Sequence, residues 1–419
     1  MIMLIDCNNY YVSAERLFNP SARNKPVVVV SNNDGAVVSR SNEAKSLGIK
    51  MGTPLFEIKD IITKHNVEVF SSNYALYGDL SQRVMSIIAG IVPEIEIYSI
   101  DEAFCNLSGY RIDILEELGT RIRRTINQWV GIPVSVGIAP TKVLAKVASK
   151  LAKKNGAGVC LLIDEDVITS ALENFAVEDL WGIGYRYTQK LHGIGIHSAQ
   201  DFRNLPATFV KKQFSVTGLR IVNELNSISC IPVEQFSKDR KAIGSAKGFG
   251  TPVSSLSELQ EALTTYTSTC ALKMRKQKSA ASILSVFIQT NYFNKQDKQY
   301  SAYRTLTLPV ASDLTPVLIK YGAHLLKSIY REGFNYKRVG ILLTGLVPAS
   351  TIQSDLFEVK DLTKLSNVQR TIDSLNSRYS RDQVRFACQG FTKRWKMKQE
   401  RLSSRFTTAI DEILTVNIT

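Results

Sequence analysis

The feature that most constrains the fold is a pair of adjacent acidic residues inside an apolar, β-prone run. Asp101 and Glu102 lie within residues 97–104, a stretch that contains no Lys or Arg. Burying two carboxylates side by side costs several kcal/mol per ion unless a positive charge compensates. Mg²⁺ is a suitable compensating cation, because it binds one or two carboxylates and leaves positions for substrate phosphates. We therefore expect a metal site where two short strands meet.

The Ile-Asp-Glu triplet alone is not decisive, because it occurs three times in the chain. Asp164 and Glu165 stand where an apolar strand gives way to a helix, which favours acidic residues at the helix start. Asp411 and Glu412 are predicted on the polar face of a terminal helix. Most such pairs are surface charges, so the position of each triplet in the fold has to distinguish them.

Strand and helix patterns in the first 165 residues follow the order of a ferredoxin-like sheet. Predicted strands cover residues 1–5, 95–100, 103–107, 134–138 and 159–163. Predicted helices cover residues 80–91, 115–129 with Trp129 on the apolar face, and 142–152 capped by Thr141. In this topology the third strand lies between the first two and runs antiparallel to both. Asp6, at the end of the first strand, should therefore meet Asp101 and Glu102.

Length and charge indicate a multidomain protein with a basic second half. The 419 residues suggest about three or four domains. Residues 241–345 hold 14 Lys and Arg against 5 Asp and Glu, whereas the first 240 residues hold 26 against 25. This excess predicts a polyanion-binding region, with a solubility-driven surface bias as the alternative. No apolar run approaches the roughly 18 residues of a membrane span, so we expect a cytoplasmic protein without membrane contact.

Three converging carboxylates indicate phosphoryl chemistry with two Mg²⁺ ions, which would stabilise an attacking oxygen and a leaving pyrophosphate. Basic and hydroxyl side chains should then approach a triphosphate from other segments. The candidates are Ser39, Asn42 and Lys45 in a small insert, and Lys153 in a later loop. Each lysine considered by itself would ordinarily be a solvated surface residue.

Two further segments indicate contact with nucleic acid. Gly182, Ile183 and Gly184 fit the turn of a helix-hairpin-helix, in which backbone N–H groups approach a phosphate, and a helix-capping turn is the alternative. From residue 243 the pattern is α/β and resembles the split pattern again. Its basic residues are predicted to follow a nucleic-acid backbone, foremost among them Lys273, Arg275 and Lys276.

After residue 348 the sequence becomes polar and linker-like. It contains Gln353 followed by the spaced pair Leu356 and Phe357. This spacing suits docking of a short peptide into an apolar pocket of a partner, while a local anchor within the chain is the ordinary alternative. The basic run at residues 392–401 is either another phosphate contact or a solvated surface segment.

Taken together, the chain resembles the Y-family translesion DNA polymerases of the UmuC type, over essentially its whole length. The motifs that carry the resemblance are residues 6–11, 31–35, 70–74, 98–104, 136–142 and 181–184. The resemblance implies an α+β right-hand polymerase with a ferredoxin-like palm. Its implied domains are a palm (1–10 and 76–165), fingers (11–75), a thumb with the helix-hairpin-helix (166–235), an α/β little finger (241–345) and a C-terminal tail (346–419).

The resemblance also implies roles for individual residues. Two Mg²⁺ ions would be bound by Asp6, Asp101, Glu102 and the Cys7 carbonyl. Tyr11 matches the aromatic steric gate that excludes a ribose 2′-hydroxyl. The remaining implied nucleotide-binding residues are Tyr10, Ser39, Asn42, Lys45 and Lys153.

The implied substrates are primer-template DNA and dNTPs, used in error-prone synthesis past lesions during the SOS response to DNA damage. The implied partners are a sliding clamp, bound through Gln353, Leu356 and Phe357, a cleaved UmuD-like accessory protein and a RecA filament. Two alternatives remain from the residues alone. One is a non-catalytic, clamp-tethered DNA-binding subunit, and the other is a nucleotidyl cyclase with a related palm.

Overall fold

The computed structural model describes residues 1–235, 238–352, 362–379 and 382–415. Within them the chain forms two compact units. The first comprises Met1–Ser31, Gly35–Ser237 and Arg401–Thr419, and the second comprises Asn32–Asp34 and Lys238–Glu400. None of the helices in these described ranges combines the length and apolar character needed to cross a bilayer.

The first unit is built on a five-stranded sheet whose order is β5-β6-β1-β7-β8. Its strands are β1 (Ile2–Cys7), β5 (Ile95–Ile97), β6 (Glu102–Asn106), β7 (Val134–Ala139) and β8 (Val159–Leu161). β6 lies between β5 and β1 and is antiparallel to β1, as the ferredoxin-like pattern predicts. The parallel pairing of β8 with β7 adds a fifth strand at the other edge.

Helices cover both faces of this sheet, because alternate residues of β1 belong to different cores. Met3 and Ile5 pack with α4 (Tyr74–Ile91) and α5 (Leu115–Val130). Leu4 packs with α6 (Lys142–Lys154) and with the helices that follow it. Asp6 has the same parity as Leu4 along the strand and therefore faces α6.

Two contacts fix the start of α6. The Thr141 hydroxyl accepts a hydrogen bond from the Leu144 N–H at 3.4 Å, which confirms the predicted cap. The buried Glu224 carboxylate accepts another from the Val143 N–H at 3.2 Å. The helix dipole favours a carboxylate at a helix N-terminus. These contacts therefore fix the rotation of α6 about its axis and the direction in which its lysines point.

A smaller sheet of order β3-β2-β4 lies within residues 11–75, the segment predicted to be the fingers. Its strands are β2 (Val27–Val30), β3 (Val37–Arg40) and β4 (Glu68–Ser71). The helices beside them are α1 (Tyr10–Phe18), α2 (Asn42–Ser46) and α3 (Lys59–His65). The Ser41 hydroxyl caps α2 by accepting from the Ala44 N–H at 3.2 Å, which presents Lys45 in the last turn of that helix.

The helical region after the sheet contains α7 (Glu165–Glu173), α8 (Tyr185–His192), α9 (Ala199–Arg203) and α10 (Ala207–Leu225, broken at Ser215). The predicted first helix of the helix-hairpin-helix is instead one 3₁₀ turn, Val177–Asp179. The segment is short because Ala176 bridges to Ser198 just before it, and Leu180 turns to extended backbone after it. α8 does follow the Gly-Ile-Gly turn as predicted.

One predicted core contact in this unit is wrong. Trp129 is 71% exposed, although Leu115, Ile122 and Ile126 on the same helix are fully buried. In the last turn of α5 it is Val130, four residues after Ile126, that packs against the core, so Trp129 lies on the solvent side. The pair Asp164 and Glu165 stands at the start of α7, as expected.

The second unit contains a four-stranded antiparallel sheet of order β11-β10-β12-β9. Its elements are β9 (Ile243–Val253), α11 (Leu256–Lys276), β10 (Ser279–Thr290), β11 (Ser301–Ser312), α12 (Thr315–Ile329), β12 (Tyr336–Pro348) and α13 (Leu362–Arg378). Leu263, Val286 and Ile341 belong to its core.

Two corrections concern the C-terminal region. α13 occupies part of the segment that was predicted to be linker-like, and its Asp373 forms an ion pair with Arg275 at 2.6 Å. Asp411 and Glu412 belong to a 3₁₀ turn, Ile410–Glu412, rather than to a terminal helix. Glu412 is held by Arg405, whose Nε donates to its carboxylate at 2.8 Å, so Glu412 closes a local turn.

Candidate active site

The ends of β1 and β6 bring two of the predicted carboxylates together. Asp6 and Glu102 are direct partners in the antiparallel register. Such partners have Cβ atoms about 4.5–5.5 Å apart, so both carboxylates project from the same patch of the sheet. The structure therefore confirms the predicted meeting of Asp6 with Glu102, and shows that both side chains are mostly shielded from solvent.

Asp101 is positioned by the turn between β5 and β6. Its carbonyl accepts a hydrogen bond from the Cys7 N–H at 2.8 Å, which ties the turn to the end of β1. Its carboxylate accepts another from the Ser99 hydroxyl at 2.6 Å. Burial raises the pKa of the Cys7 thiol, so the thiol stays protonated at neutral pH and offers no thiolate ligand.

Two lysines from α6 supply the positive charge that the local sequence lacks. Lys153 Nζ lies 2.5 Å from a carboxylate oxygen of Asp6. Lys146 Nζ donates to both carboxylate oxygens of Glu102, at 2.9 and 3.1 Å. The hairpin that carries Asp101 is also only half-buried. The compensation expected from a metal is thus made here by two ammonium groups.

The pKa of Asp6 reflects the other carboxylates at this edge of the five-stranded sheet. Burial raises the pKa of Asp6 to about 6, Lys153 opposes this shift, and the charges of Glu102 and Asp101 add to it. Like charges raise a carboxyl pKa only when they lie near it. All three carboxylates therefore share one electrostatic neighbourhood.

The residues present fit a hard divalent cation in ligand type and charge, since carboxylate oxygens are the groups that Mg²⁺ prefers. Across the described part of the chain, however, no three His, Cys, Asp or Glu side chains are already arranged around one ion position. Oxygens of Asp6 and Glu102 are instead paired with Lys153 and Lys146. A cation at this edge would have to displace or reposition these ammonium groups.

A cleft of about 390 Å³ opens on the α6 side of this edge. Its lining includes Asp6, Glu102, Lys146 and Lys153, with Trp181 at another wall. Acidic and basic groups therefore line the same space. Such a lining can hold a polyanion against α6 while the carboxylates hold a cation.

A second polar cluster joins α1 and α2. Lys45 Nζ donates to Asn9 Oδ1 at 2.7 Å and to Asn42 Oδ1 at 3.1 Å, and the Asn9 amide donates to Asn42 Oδ1 at 3.2 Å. Burial lowers the pKa of Lys45, and the nearby charges of Arg40 and Lys153 lower it further. Arg40 and Lys153 thus lie within electrostatic range of Lys45, an arrangement that a phosphate chain would stabilise.

Aromatic rings surround the start of α1. Tyr11 stacks on Tyr77 with ring centroids 4.4 Å apart and an interplanar angle of 15°, and Tyr74 meets both rings edge-on. Burial raises the pKa of Tyr11, with smaller contributions from Tyr74 and Asp101. Tyr11 is therefore half-buried next to the carboxylates, where a sugar ring could contact it.

Two predicted nucleotide contacts are more deeply buried. Tyr10 is in the core, and its hydroxyl donates to the Tyr77 carbonyl at 2.5 Å. The Tyr10 ring is therefore a core group, and the assignment of Tyr10 to the nucleotide site stays a prediction. Ser39 is also buried, and its hydroxyl accepts from the Val12 N–H at 3.4 Å.

Comparison with known proteins gives the family. Residues 5–150 match the impB/mucB/samB family, and residues 240–356 match the C-terminal domain of that family. Residues 366–416 match a domain of unknown function, DUF4113. Protein ImpB of Salmonella typhimurium is 36% identical, with 97% of each chain covered. The chain belongs to the impB/mucB/samB family.

Other relatives agree with this membership. Protein UmuC of Salmonella typhimurium is 36% identical over 99% of this chain and 100% of that protein. A Y-family DNA polymerase chimera of Dbh and Dpo4 has the same fold, with a TM-score of 0.66 and 21% identity over 83% of this chain and 99% of the chimera. As a member of the impB/mucB/samB family, the chain is a DNA-directed DNA polymerase of the Y family, a family of translesion enzymes that uses divalent metal ions. Neither the cyclase nor the non-catalytic alternative accords with this membership.

The impB/mucB/samB polymerase carries its predicted DNA-binding residues in two places. At the Gly-Ile-Gly turn, Gly182 has a φ of 95° that favours glycine, and Gly184 caps α8. The Ile183 side chain is buried and its N–H donates to the Leu180 carbonyl at 3.1 Å, so Ile183 is a core residue rather than a DNA contact.

The second place is the end of α11, where the structure separates three neighbouring cations. Lys273 and Lys276 are exposed. Arg275 is directed inward and donates to Asp373 at 2.6 and 2.9 Å and to the Asp313 carbonyl at 2.6 Å. Its assignment to DNA is therefore corrected, because helical periodicity puts the residue between two exposed lysines on the buried side of the helix.

The predicted clamp-binding residues Gln353, Leu356 and Phe357 lie outside the described residues. Sequence reasoning also missed several members of the site. Lys146 was not predicted because it approaches Glu102 only through the packing of α6, and Asn9 because asparagines are common at helix starts. A signal for Lys146 was available, since it lies seven residues before Lys153 and so on the same helix face.

Proposed function

We propose that this polymerase extends a primer on damaged template DNA by two-metal nucleotidyl transfer, with Asp6, Asp101 and Glu102 as the catalytic carboxylates. The observation that supports this most directly is the register pairing of Asp6 with Glu102, with Asp101 tied to the same edge. Mg²⁺ held by these carboxylates and the Cys7 carbonyl would supply charge stabilisation for the attacking and leaving oxygens.

The remaining residues would bind and orient the incoming dNTP. Lys45 and Lys153 would contact the triphosphate, with Asn42 and Asn9 orienting Lys45 through the hydrogen bonds described above. Ser39 would contribute to the dNTP site by holding α1 in place through its hydrogen bond with the Val12 N–H. Tyr11 would stand against the 2′ position of the sugar, so that a ribose hydroxyl meets the ring.

The domain assignment belongs to the same proposal: a palm at 1–10 and 76–165, fingers at 11–75, a thumb at 166–235, a little finger at 241–345 and a tail at 346–419. Lys273 and Lys276 would contact the duplex backbone. We further propose that the enzyme works in the cytoplasm during the SOS response with a sliding clamp, a cleaved UmuD-like protein and a RecA filament. Protein UmuC is among its relatives.

The first experiment compares two identical triplets. Asp101→Asn should lower the single-turnover rate of Mg²⁺-dependent primer extension by about 10³-fold or more, because it removes charge from the position where the transition state is stabilised. Asp164→Asn changes the matched Ile-Asp-Glu triplet at the start of α7 and should leave the rate within about twofold. An Asp101→Asn protein that extends primers at the normal rate would falsify the assignment.

A further inference from the structure

The C-terminal segment of the first unit makes one backbone bridge to the edge of the sheet formed by β3, β2 and β4. Leu402 forms a parallel bridge with Ser71, the last residue of β4. The Ser71 N–H donates to the Arg401 carbonyl at 2.8 Å, and the Arg401 N–H donates to the Ser71 hydroxyl at 3.0 Å. This segment lies in the region that matches a domain of unknown function.

The same segment is fastened at the start of α4. The Asn73 amide donates to the Ser403 carbonyl at 3.0 Å and to the Ser404 carbonyl at 3.1 Å, while Asn73 Oδ1 caps α4 through the Leu76 N–H at 3.2 Å. Further on, Phe406 stacks on Phe18 with ring centroids 4.7 Å apart. Backbone pairing, a shared cap and an aromatic stack therefore hold this segment in place.

The Ser403 side chain contributes to a buried polar network. Its hydroxyl donates to Glu15 Oε1 at 3.0 Å, and the Tyr77 hydroxyl donates to the same oxygen at 2.6 Å. Glu15 is fully buried, and its other carboxylate oxygen has no hydrogen-bond partner among the described residues. Burial raises the pKa of Glu15, while Tyr77 and Ser403 oppose the rise. Each donor is therefore important, since a buried acid with so few partners is costly to hold.

Tyr77 connects this network to the nucleotide site. Its ring stacks on Tyr11, with the planes only 15° apart, and is itself fully buried. A change at Ser403 alters the hydrogen bonds of the Glu15 carboxylate. Because that carboxylate holds the Tyr77 hydroxyl, the change also reaches the Tyr77 ring, which stacks on Tyr11. The path consists of two hydrogen bonds and one ring contact.

We propose that the segment from Arg401 to Phe406 is a positioning element for the Tyr11 and Tyr77 pair, and that Ser403 sets how strictly the polymerase selects the nucleotide sugar. Ser403 acts through Glu15 and Tyr77 and does not touch the nucleotide. The proposal rests on the proposed gate role of Tyr11. It assigns a function to one part of the domain of unknown function at residues 366–416, namely to hold the Tyr11 and Tyr77 rings in place beside the nucleotide sugar.

The test measures kcat and KM for a dNTP and for the matching rNTP with the full-length protein. Ser403→Ala should reduce the ratio of kcat/KM for dNTP over rNTP by about tenfold, which corresponds to about 1.4 kcal/mol of lost discrimination. We expect the change mainly as a lower KM for the rNTP, with kcat for the dNTP nearly constant. Ser403→Thr, which keeps the hydroxyl, should restore the ratio.

Matched controls separate positioning from general destabilisation. Ser404→Ala removes a neighbouring exposed hydroxyl while keeping the backbone contact to Asn73, and should leave the ratio unchanged. Glu15→Gln keeps an acceptor for both donors without the buried charge, and should preserve discrimination better than Ser403→Ala. If Ser403→Ala and Ser404→Ala lose discrimination equally, or if Ser403→Ala merely lowers kcat for both nucleotides, the proposal is overturned.

Tyr11→Ala tests the supporting assumption in the same assay. If Tyr11→Ala loses discrimination and Ser403→Ala does not, the gate role of Tyr11 is supported and the positioning role of the segment from Arg401 to Phe406 is rejected. If Tyr11→Ala discriminates as well as the unchanged protein, the gate role fails and the positioning role fails with it. Loss of discrimination in both, with rescue by Ser403→Thr, supports the proposal.

Discussion

At the scale of single residues, the lysines of α6 determine what the carboxylates of this site can bind. The Lys146 ammonium contacts both oxygens of Glu102, and also lies over the rings of Tyr98 and Trp181 at 4.7 and 5.2 Å. An ammonium group so placed stabilises Glu102 when no other cation is near. It also repels any divalent ion that approaches the same oxygens, so lysine and metal compete for one acidic edge.

Lys146→Met should therefore tighten divalent-cation binding. Removing a unit charge a few ångströms from the site relieves repulsion, and we expect the Mn²⁺ concentration at half occupancy to fall by about tenfold. Methionine should remain folded there, because its thioether packs well against aromatic rings. Titration followed by the electron paramagnetic resonance of free Mn²⁺ measures the change without requiring catalysis.

Lys154→Met is the control for that titration. It removes the same charge from the last turn of the same helix, where the side chain is exposed and the charge is screened by solvent. Its Mn²⁺ affinity should stay within about twofold of the unchanged protein. Unchanged or weaker binding in Lys146→Met would show that this lysine does not compete with the metal.

The residue scale also shows how far sequence reasoning reached. The meeting of Asp6 with Glu102 was predictable, because a period of two and the strand order together fix which residues face each other. The partnership of Lys146 with Glu102 was not, because it depends on the rotation of α6 against the sheet. The prediction for Arg275 was wrong for the same kind of reason. Cationic residues that are neighbours in sequence lie on different sides of a helix, so some face solvent and Arg275 faces the protein.

At the scale of elements, α6 is held against the sheet by an unusually close contact at Gly137 of β7. A Cβ atom there would come within 2.2 Å of the Ser149 N and 2.3 Å of the Ala145 carbonyl oxygen. Both are backbone atoms and cannot move away without shifting the helix. The close approach brings the lysines of α6 within reach of the carboxylates.

Gly137→Ala should consequently destabilise the first unit by about 3 kcal/mol, the range expected for overpacking against backbone. Gly78→Ala provides a matched substitution in α4, where an added Cβ meets nothing within 4 Å. That variant should gain about 0.5–1 kcal/mol from helix propensity. Urea denaturation measures both, and equal effects of the two substitutions would contradict a close contact at Gly137.

Elements were predictable where apolar periodicity was strong and were missed where it was weak. β1 was found because it is a continuous apolar run, and β5 and β7 were found because apolar residues alternate along them. β9 was missed because its sequence contains three glycines and a lysine among few apolar residues. α13 is an exception, because Leu365, Val368, Ile372 and Leu375 do recur at helical spacing and only the polar residues around them favoured a linker.

At the scale of the whole molecule, the excess of positive over negative charge lies in the second half of the chain. The 14 Lys and Arg of residues 241–345 stand against 5 acids, whereas residues 1–240 are almost neutral at 26 against 25. A polymerase must hold DNA without reading its sequence, and contacts with phosphates do this through release of counterions. The uneven charge therefore predicts that residues 241–345 contribute most of the salt-sensitive affinity for DNA.

Lys273→Ala combined with Lys276→Ala should reduce the slope of log affinity against log salt concentration by about 1.8, because each phosphate contact contributes about 0.9. Lys59→Ala with Lys64→Ala is the matched pair, since both lysines are exposed on α3 in the nearly neutral part of the chain. That pair should leave the slope unchanged. Fluorescence anisotropy of a labelled primer-template between about 50 and 200 mM salt measures both slopes. Equal slopes in the two variants would mean that the excess of basic residues in 241–345 serves solubility rather than DNA binding.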